Sequence, residues 1–361
     1  MIHPWLTVVC TLGILAVIPA LSVQYREFLD RTGTRASIAL TVMISAGSLL
    51  IWLLISLFIP PVWGSPLEYP TAALAAVAGF LASLTVRDTT SRALPVGLFA
   101  LAWTAIVFTP IAIVVLFPTS VGIPATAGPL DLGGALPVQV AVGAGGLVVL
   151  TVARRWAVED RSHVRPRSWP LLVSGLVIWA GWLLGFVGLE LSVDSVITPR
   201  IIINSIIGPL LGVVGWLIAQ RITTSRTNAG GAVAGLLCGL VAISAGSAYF
   251  TPLWAGLTGL LAGLASALFV TRRIKATGRH AWFIVGVHLV AASVGLLMVG
   301  IFGLGLGLVY TGQVTLFQVQ FLSIVAVVIW SGVISLLLWL FVRQTARRGH
   351  RAAKESAATV G

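Results

Sequence analysis

The chain alternates between long apolar runs and short polar stretches. The apolar runs fall near residues 4–23, 36–59, 69–86, 93–117, 132–153, 169–189, 201–219, 229–247, 252–271, 281–305 and 316–342. A helix crosses a bilayer core about 30 Å thick with roughly 20 apolar residues. Each run therefore predicts one transmembrane helix, eleven in all. In hydrocarbon the backbone must satisfy its own N–H and C=O groups, which makes the predicted fold class an all-α polytopic membrane protein.

The polar stretches set the orientation. With the N-terminus outside, one side holds Arg26, Arg31 and Arg35; Arg87 and Arg92; Arg154, Arg155, Arg161, Arg165 and Arg167; and Arg221 and Arg226. The same side holds Arg272, Arg273, Lys275 and Arg279, and then Arg343, Arg347, Arg348, Arg351 and Lys354, leaving Arg200 alone opposite. Placing 21 of 22 basic residues on one side follows the positive-inside rule, and one miscounted run would destroy the pattern. The expected topology is N-out, C-in, with a basic cytoplasmic tail over 343–361. The longest inner stretch, residues 157–168, mixes Arg, Asp, Glu and Pro and reads as a solvated linker between two halves.

Composition narrows the function classes. Hydrophobic residues make up 58% of the chain and charged residues 9%, with a mean hydropathy of +1.05, which is far from a soluble domain. The net charge of +12 sits in loops flanking spans, where orientation accounts for it, so nucleic acid is not an expected partner. The tail from Arg343 to Lys354 is dense enough to meet anionic lipid heads. Positive charges follow the first run instead of preceding it, unlike a cleaved signal peptide, so that run is expected to stay. Cys10 and Cys238 lie in apolar runs as small packing residues and define no disulfide framework or metal cluster. The carboxylates are scattered, and no Gly-rich loop leads into Lys and Ser/Thr. The expectation is a protein that is not an enzyme or an ATP-driven pump, with no cofactor and no metal.

Two polar residues interrupt the apolar pattern. Gln139-Val140-Ala141-Val142-Gly143-Ala144-Gly145-Gly146-Leu147 parallels His288-Leu289-Val290-Ala291-Ala292-Ser293-Val294-Gly295-Leu296, with small residues at the fourth and fifth places onward and Gly-Leu at the seventh and eighth. A polar group in hydrocarbon costs several kcal/mol unless it is paired or wetted, so two at matched positions read as lining something. They lie in the fifth and tenth runs, which divides the chain as five plus five plus one. Five is odd, so the second set must cross the membrane inverted, an architecture that puts a pathway at the repeat interface. Repeat one covers about 1–156, repeat two about 169–310, and the eleventh helix 316–342. Gln139 is eight residues from Asp131 and His288 eight from His280, at opposite ends of their runs. At about 1.5 Å per residue both lie roughly 12 Å deep and could meet. Glycines such as Gly143, Gly145 and Gly146 would let the helices approach closely.

These residues resemble the ammonium transporter (Amt/Rh) family over essentially the whole chain. The family segment D-F-A-G-G-x-V-V-H is matched by Asp131-Leu132-Gly133-Gly134-Ala135-Leu136-Pro137-Val138-Gln139, and F-G-V-H-G by Val285-Gly286-Val287-His288-Leu289. Gly239 to Ala248 resembles G-L-V-A-I-T-P-A-x-G, Asn204-Ser205 the Asn-Thr of the seventh span, and Ile329-Trp330-Ser331 the eleventh. The resemblance implies a homotrimer in the plasma membrane, with ammonium or ammonia as solute and one narrow hydrophobic pore per subunit lined by two histidines. Gln139 stands where the first of those histidines would be. The outer tryptophan aligns near Leu116 or Phe117, and the first gate phenylalanine near Ala72 or Ala73. The second gate phenylalanine corresponds to Phe186, and the vestibule serine falls near Glu190. The acidic C-terminal motif of many members is absent, so control by a cytosolic protein that reads it is not expected.

The pore and substrate-binding candidates are therefore His288, Gln139, Phe186 and Asp131. Each has a plainer role open to it: a core histidine, interhelical glue, a core aromatic and a helix cap. The expected function is a channel or transporter for ammonium, ammonia or a related small solute. The alternative is a transport-inactive membrane sensor or assembly subunit, motivated by the changes at Gln139 and near Leu116 and Ala72. A secondary transporter of another kind would need buried acids, and only Asp131 approaches the interior.

Overall fold

The computed structural model describes residues 4–29, 35–90, 92–124, 127–153, 167–191 and 193–359. Most of the linker expected at 157–168 lies outside them. Among the described residues all regular structure is helical. Ten helices are long and apolar enough to cross a membrane: α1 Pro4–Leu29, α2 Arg35–Ser56, α3 Glu68–Arg87, α4 Ala93–Leu116, α5 Ala135–Val152, α6 Ser168–Leu189, α7 Ile197–Thr224, α9 Pro252–Thr277, α10 Trp282–Phe302 and α11 Thr315–Thr359. The eleventh, α8, is the shorter apolar helix Ala229–Ile243. The odd-numbered helices end at the face that bears Arg26, Arg87, Arg221, Lys275 and Arg343, called the basic end below.

Helix contacts recur with a period of five. α1 packs on α3 as α6 does on α8, α2 on α3 as α7 on α8, and α3 on α5 as α8 on α10, while α1 and α6 pack against each other. Because the period is odd, partners in this pattern run through the bundle in opposite directions, as an inverted repeat requires. α11 stands outside the period and lies along α5, α10 and α4.

Small residues make the closest crossings. Lipid tails are as apolar as leucine, so helices gain by backbone approach more than by hydrophobic burial. α7 meets α8 and α9 along Gly208, Gly212 and Gly215, and a Cβ on Gly212 would sit 2.5 Å from the Gly235 carbonyl oxygen and 2.8 Å from Gly239 Cα. No side chain fits there.

Several helices run a turn or more past the apolar runs, as α1 does to Leu29 and α9 to Thr277, and two departures change the architecture. The run at 229–247 is helical only to Ile243, and residues 244–250 form turns although nearly all are buried. Irregular backbone at such depth is tolerated only where the protein itself satisfies it. The Asn204 amide does so by donating to the Ser247 and Phe250 carbonyls at 2.8 and 2.7 Å, while Gly133 N–H donates to Ser244 O at 2.8 Å. The last helix continues beyond residue 342, through the basic tail to Thr359, in a stretch rich in the helix formers Ala, Arg and Lys.

Three spans carry a π-helical turn: Thr104–Phe108 in α4, Ala135–Val140 in α5 and Val285–Val290 in α10. Each disturbs the ladder of carbonyls. α11 bonds beside two of them: Trp330 Nε1 donates to Ile106 O at 3.1 Å, and Ser331 Oγ to Ala141 O at 2.6 Å.

Gly212→Ala is expected to destabilise the bundle by about 1–3 kcal/mol through overpacking. Gly97→Ala, where a Cβ would meet nothing within 4 Å, is expected to be neutral or slightly stabilising. Thermal unfolding of the purified protein in detergent measures both.

Candidate functional site

The π turns of α5 and α10 bring the two polar residues together. Gln139 and His288 are 2% and 1% exposed, and His288 Nδ1 is hydrogen-bonded to Gln139 Oε1. The approach depends on Gly143, since a Cβ there would lie 2.8 Å from Leu289 Cα. A carboxamide oxygen only accepts, so in the neutral imidazole the proton sits on Nδ1 and leaves Nε2 as an acceptor. That acceptor is taken by the Tyr25 hydroxyl of α1.

Tyr25, His288 and Gln139 thus form one hydrogen-bonded row from α1 through α10 to α5. Tyr25 is 1% exposed and meets Phe283 edge-on at 5.8 Å. Its one mark in the sequence is a phenol two residues past the first apolar run, and only the helix that extends to Leu29 brings it into the bundle.

Beside the row lies a cavity of about 10 Å³, close to the size of a single water site. Gln139 and His288 supply its polar wall, and Val17, Leu21, Val77, Ile178, Leu237 and Val241 contribute much of the apolar lining. Trp182 also lines it and was not among the expected residues. Phe186, one helical turn further along α6, meets Trp182 edge-on at 6.2 Å and is 1% exposed. It lies over the turn that leads into α5, where a Cβ on Gly133 would come 2.6 Å from its ring.

Asp131 is turned to the backbone. Its two carboxylate oxygens accept from Ala135 N–H at 2.6 Å and Leu136 N–H at 2.7 Å, which caps the start of α5. Burial pushes its carboxyl up to about 6, against the opposing effect of the N–H bonds from Leu136, Ala135 and Gly134. Of the residues near the outer aromatic positions, Phe117 packs on Trp52 with centroids 5.9 Å apart. Ala72 and Ala73 are buried methyls. Glu190 accepts from Thr198 Oγ1 at 3.1 Å, and its carboxyl is raised by burial. The described residues contain no group of three or more His, Cys, Asp or Glu placed to hold a metal.

The fold and site together define a helical membrane protein with a small, largely apolar cavity beside the crossing of two helices that each carry a π turn. The sequence model of the Ammonium Transporter Family matches residues 68–355, and the chain belongs to that family. It is 28% identical to the ammonium transporter of Mycobacterium tuberculosis over 229 residues, 60% of this chain and 48% of that protein. It is 30% identical to the ammonium transporter of Bacillus subtilis over 166 residues, 46% of this chain and 40% of that one. The chain spans about half the length of the curated relatives it matches. Among solved structures, Mep2 of Saccharomyces cerevisiae shares the fold with a TM-score of 0.81 at 17% identity, over 94% of this chain and 87% of that one. A sensor Amt protein does so with a TM-score of 0.80 at 18% identity, over 95% of this chain and 93% of that one.

Asp131→Ala leaves two buried N–H groups unmet, and a loss of about 1–3 kcal/mol is expected. Asp131→Asn, which keeps one carbonyl acceptor, is expected to lose less. Thermal unfolding in detergent ranks the two, and reversal of that order would rule out capping as the side chain's main role.

Proposed function

We propose that the chain is a channel-type transporter for ammonium and ammonia, or a related small solute, with one pore in each subunit. The supporting observation is the Tyr25–His288–Gln139 row on the wall of an otherwise apolar cavity. A bare ammonium ion in hydrocarbon is prohibitive, whereas a neutral amine needs only hydrogen-bond partners. Gln139 donates and accepts but carries no proton, so two imidazoles cannot hand a proton across this site. The neutral molecule is therefore the species that passes, and the proton of an arriving ammonium ion is released to the water it came from. Phe186 and Trp182 screen the cavity on the α6 side, and Asp131 acts through the backbone of α5.

With this reading go a multi-pass place in the plasma membrane and the N-out, C-in topology, supported by the charge placement. It also includes a homotrimer, as in the family resemblance, and the two repeats at about 1–156 and 169–310. Purified protein in liposomes is expected to pass methylammonium above empty vesicles without an accompanying current, and His288→Ala to change that flux at least several-fold. Absence of flux from folded protein would refute transport.

One observation favours the sensor reading as a second possibility. The Tyr25 hydroxyl occupies the free nitrogen of His288, and the cavity beside it is small. A solute can bond that nitrogen only when Tyr25 yields. Under the transport reading Tyr25→Phe frees the acceptor and raises flux at least several-fold. Under the sensor reading flux stays at the background of empty liposomes while methylammonium binding persists.

A further inference from the structure

Arg279 lies outside the cavity, at the basic end, just before α10. It is 7% exposed, and its guanidinium reaches two other elements. Nε and Nη2 donate to Asp88 Oδ2 at 2.8 and 2.5 Å, just past the end of α3, and Nη1 donates to Leu150 O and Ala153 O at 2.6 and 2.9 Å, at the end of α5. Carbonyls at a helix C-terminus lack intrahelical partners and carry partial negative charge, so a buried cation suits them. The neighbouring Thr89 Oγ1 accepts from Trp339 Nε1 at 3.2 Å, which ties α11 to the same place.

The helices joined in this way are those that carry Gln139 and His288. At their crossing Leu289 lies against Gly143, which presents no side chain to it, and both helices carry a π turn nearby. The bond between His288 and Gln139 survives only a few tenths of an ångström of movement, while a one-residue slip is about 1.5 Å. At the far end, the start of α5 is held elsewhere: Gln320 of α11 donates to Leu130 O at 2.8 Å, and Leu132 and Gly133 bond the turns after α8.

We propose that Arg279, held by Asp88, is a positioning residue that sets the axial register of His288 against Gln139 by fastening the start of α10 to the end of α5. The planar fork is needed for this, since an ammonium cannot meet a carboxylate and two carbonyls in the same fixed geometry. The proposal takes its purpose from the transport reading, but its geometry can be tested without any flux.

The test is nitrogen-15 NMR of the full-length protein in lipid with labelled histidine, the His288 ring being assigned by its loss in His288→Gln. The native protein is expected to show one tautomer with the proton on Nδ1. The double variant Asp88→Asn/Arg279→Gln removes both charges together and strands neither. With the register loosened, Tyr25 can also accept from Nε2, and a second tautomer is expected to rise from undetectable to at least a tenth of the signal. Arg279→Lys keeps the ion pair but not the fork, is expected to show the same mixing, and decides the matter if the double variant does not fold. A folded variant of either kind with a native His288 spectrum would overturn the proposal. A native protein that conducts nothing would instead refute transport while leaving this outcome readable.

Discussion

The hydrogen bond between His288 and Gln139 is the constraint around which the rest of the bundle is arranged. It joins two side chains that hydrocarbon would otherwise penalise by several kcal/mol each. It also exists only if two helix backbones approach closely enough for short side chains to meet. Gly143 permits the approach to Leu289. The π turns at Ala135–Val140 and Val285–Val290 lie at the crossing, each spanning its polar residue. Such turns disturb the local carbonyl ladder, and α11, which lies outside the five-helix period, supplies Ser331 to Ala141.

The polar row has a definite chemical character. It consists of a phenol, an imidazole and a carboxamide, and all three are closed to bulk water. Donor and acceptor roles alternate along it without ambiguity once the carboxamide oxygen is taken as an acceptor. This is a strip suited to hydrogen-bonding a small neutral molecule rather than to passing a proton between two bases. The chain belongs to the Ammonium Transporter Family, and in this member the imidazole of His288 is paired with a carboxamide, that of Gln139.

Much of this could be read along the chain. The eleven helices fall close to the apolar runs because crossing a bilayer is a length requirement that composition alone reveals. Gln139 and His288 could be paired in advance because an inverted repeat leaves the same local pattern twice. The early end of α8 left little trace: Ser244 to Phe250 are as rich in small residues as the helix before them and hold no proline or charge to stop it. Their turns depend on a side chain some forty residues away, Asn204. Trp182 leaves no mark in the sequence and Tyr25 only a weak one for a similar reason, since each takes its place only when α1 and α6 fold against the crossing. Asp131 could be a cap or a vestibule charge by its position, and only its bonds to Ala135 and Leu136 show the cap.

The sequence by itself determined the class of protein, the number of spans, the bias of charge to one end and the matched placement of one imidazole and one carboxamide. These depend on composition, length and repetition, which are properties of the chain one residue at a time or at a fixed spacing. The tertiary structure alone decided that Tyr25 completes the row, that Phe117 is engaged by Trp52, and that Arg279 fastens the two broken helices at a common end. Each of these joins residues from 65 to 263 positions apart. No local pattern encodes such a meeting, because it is set by how whole helices cross.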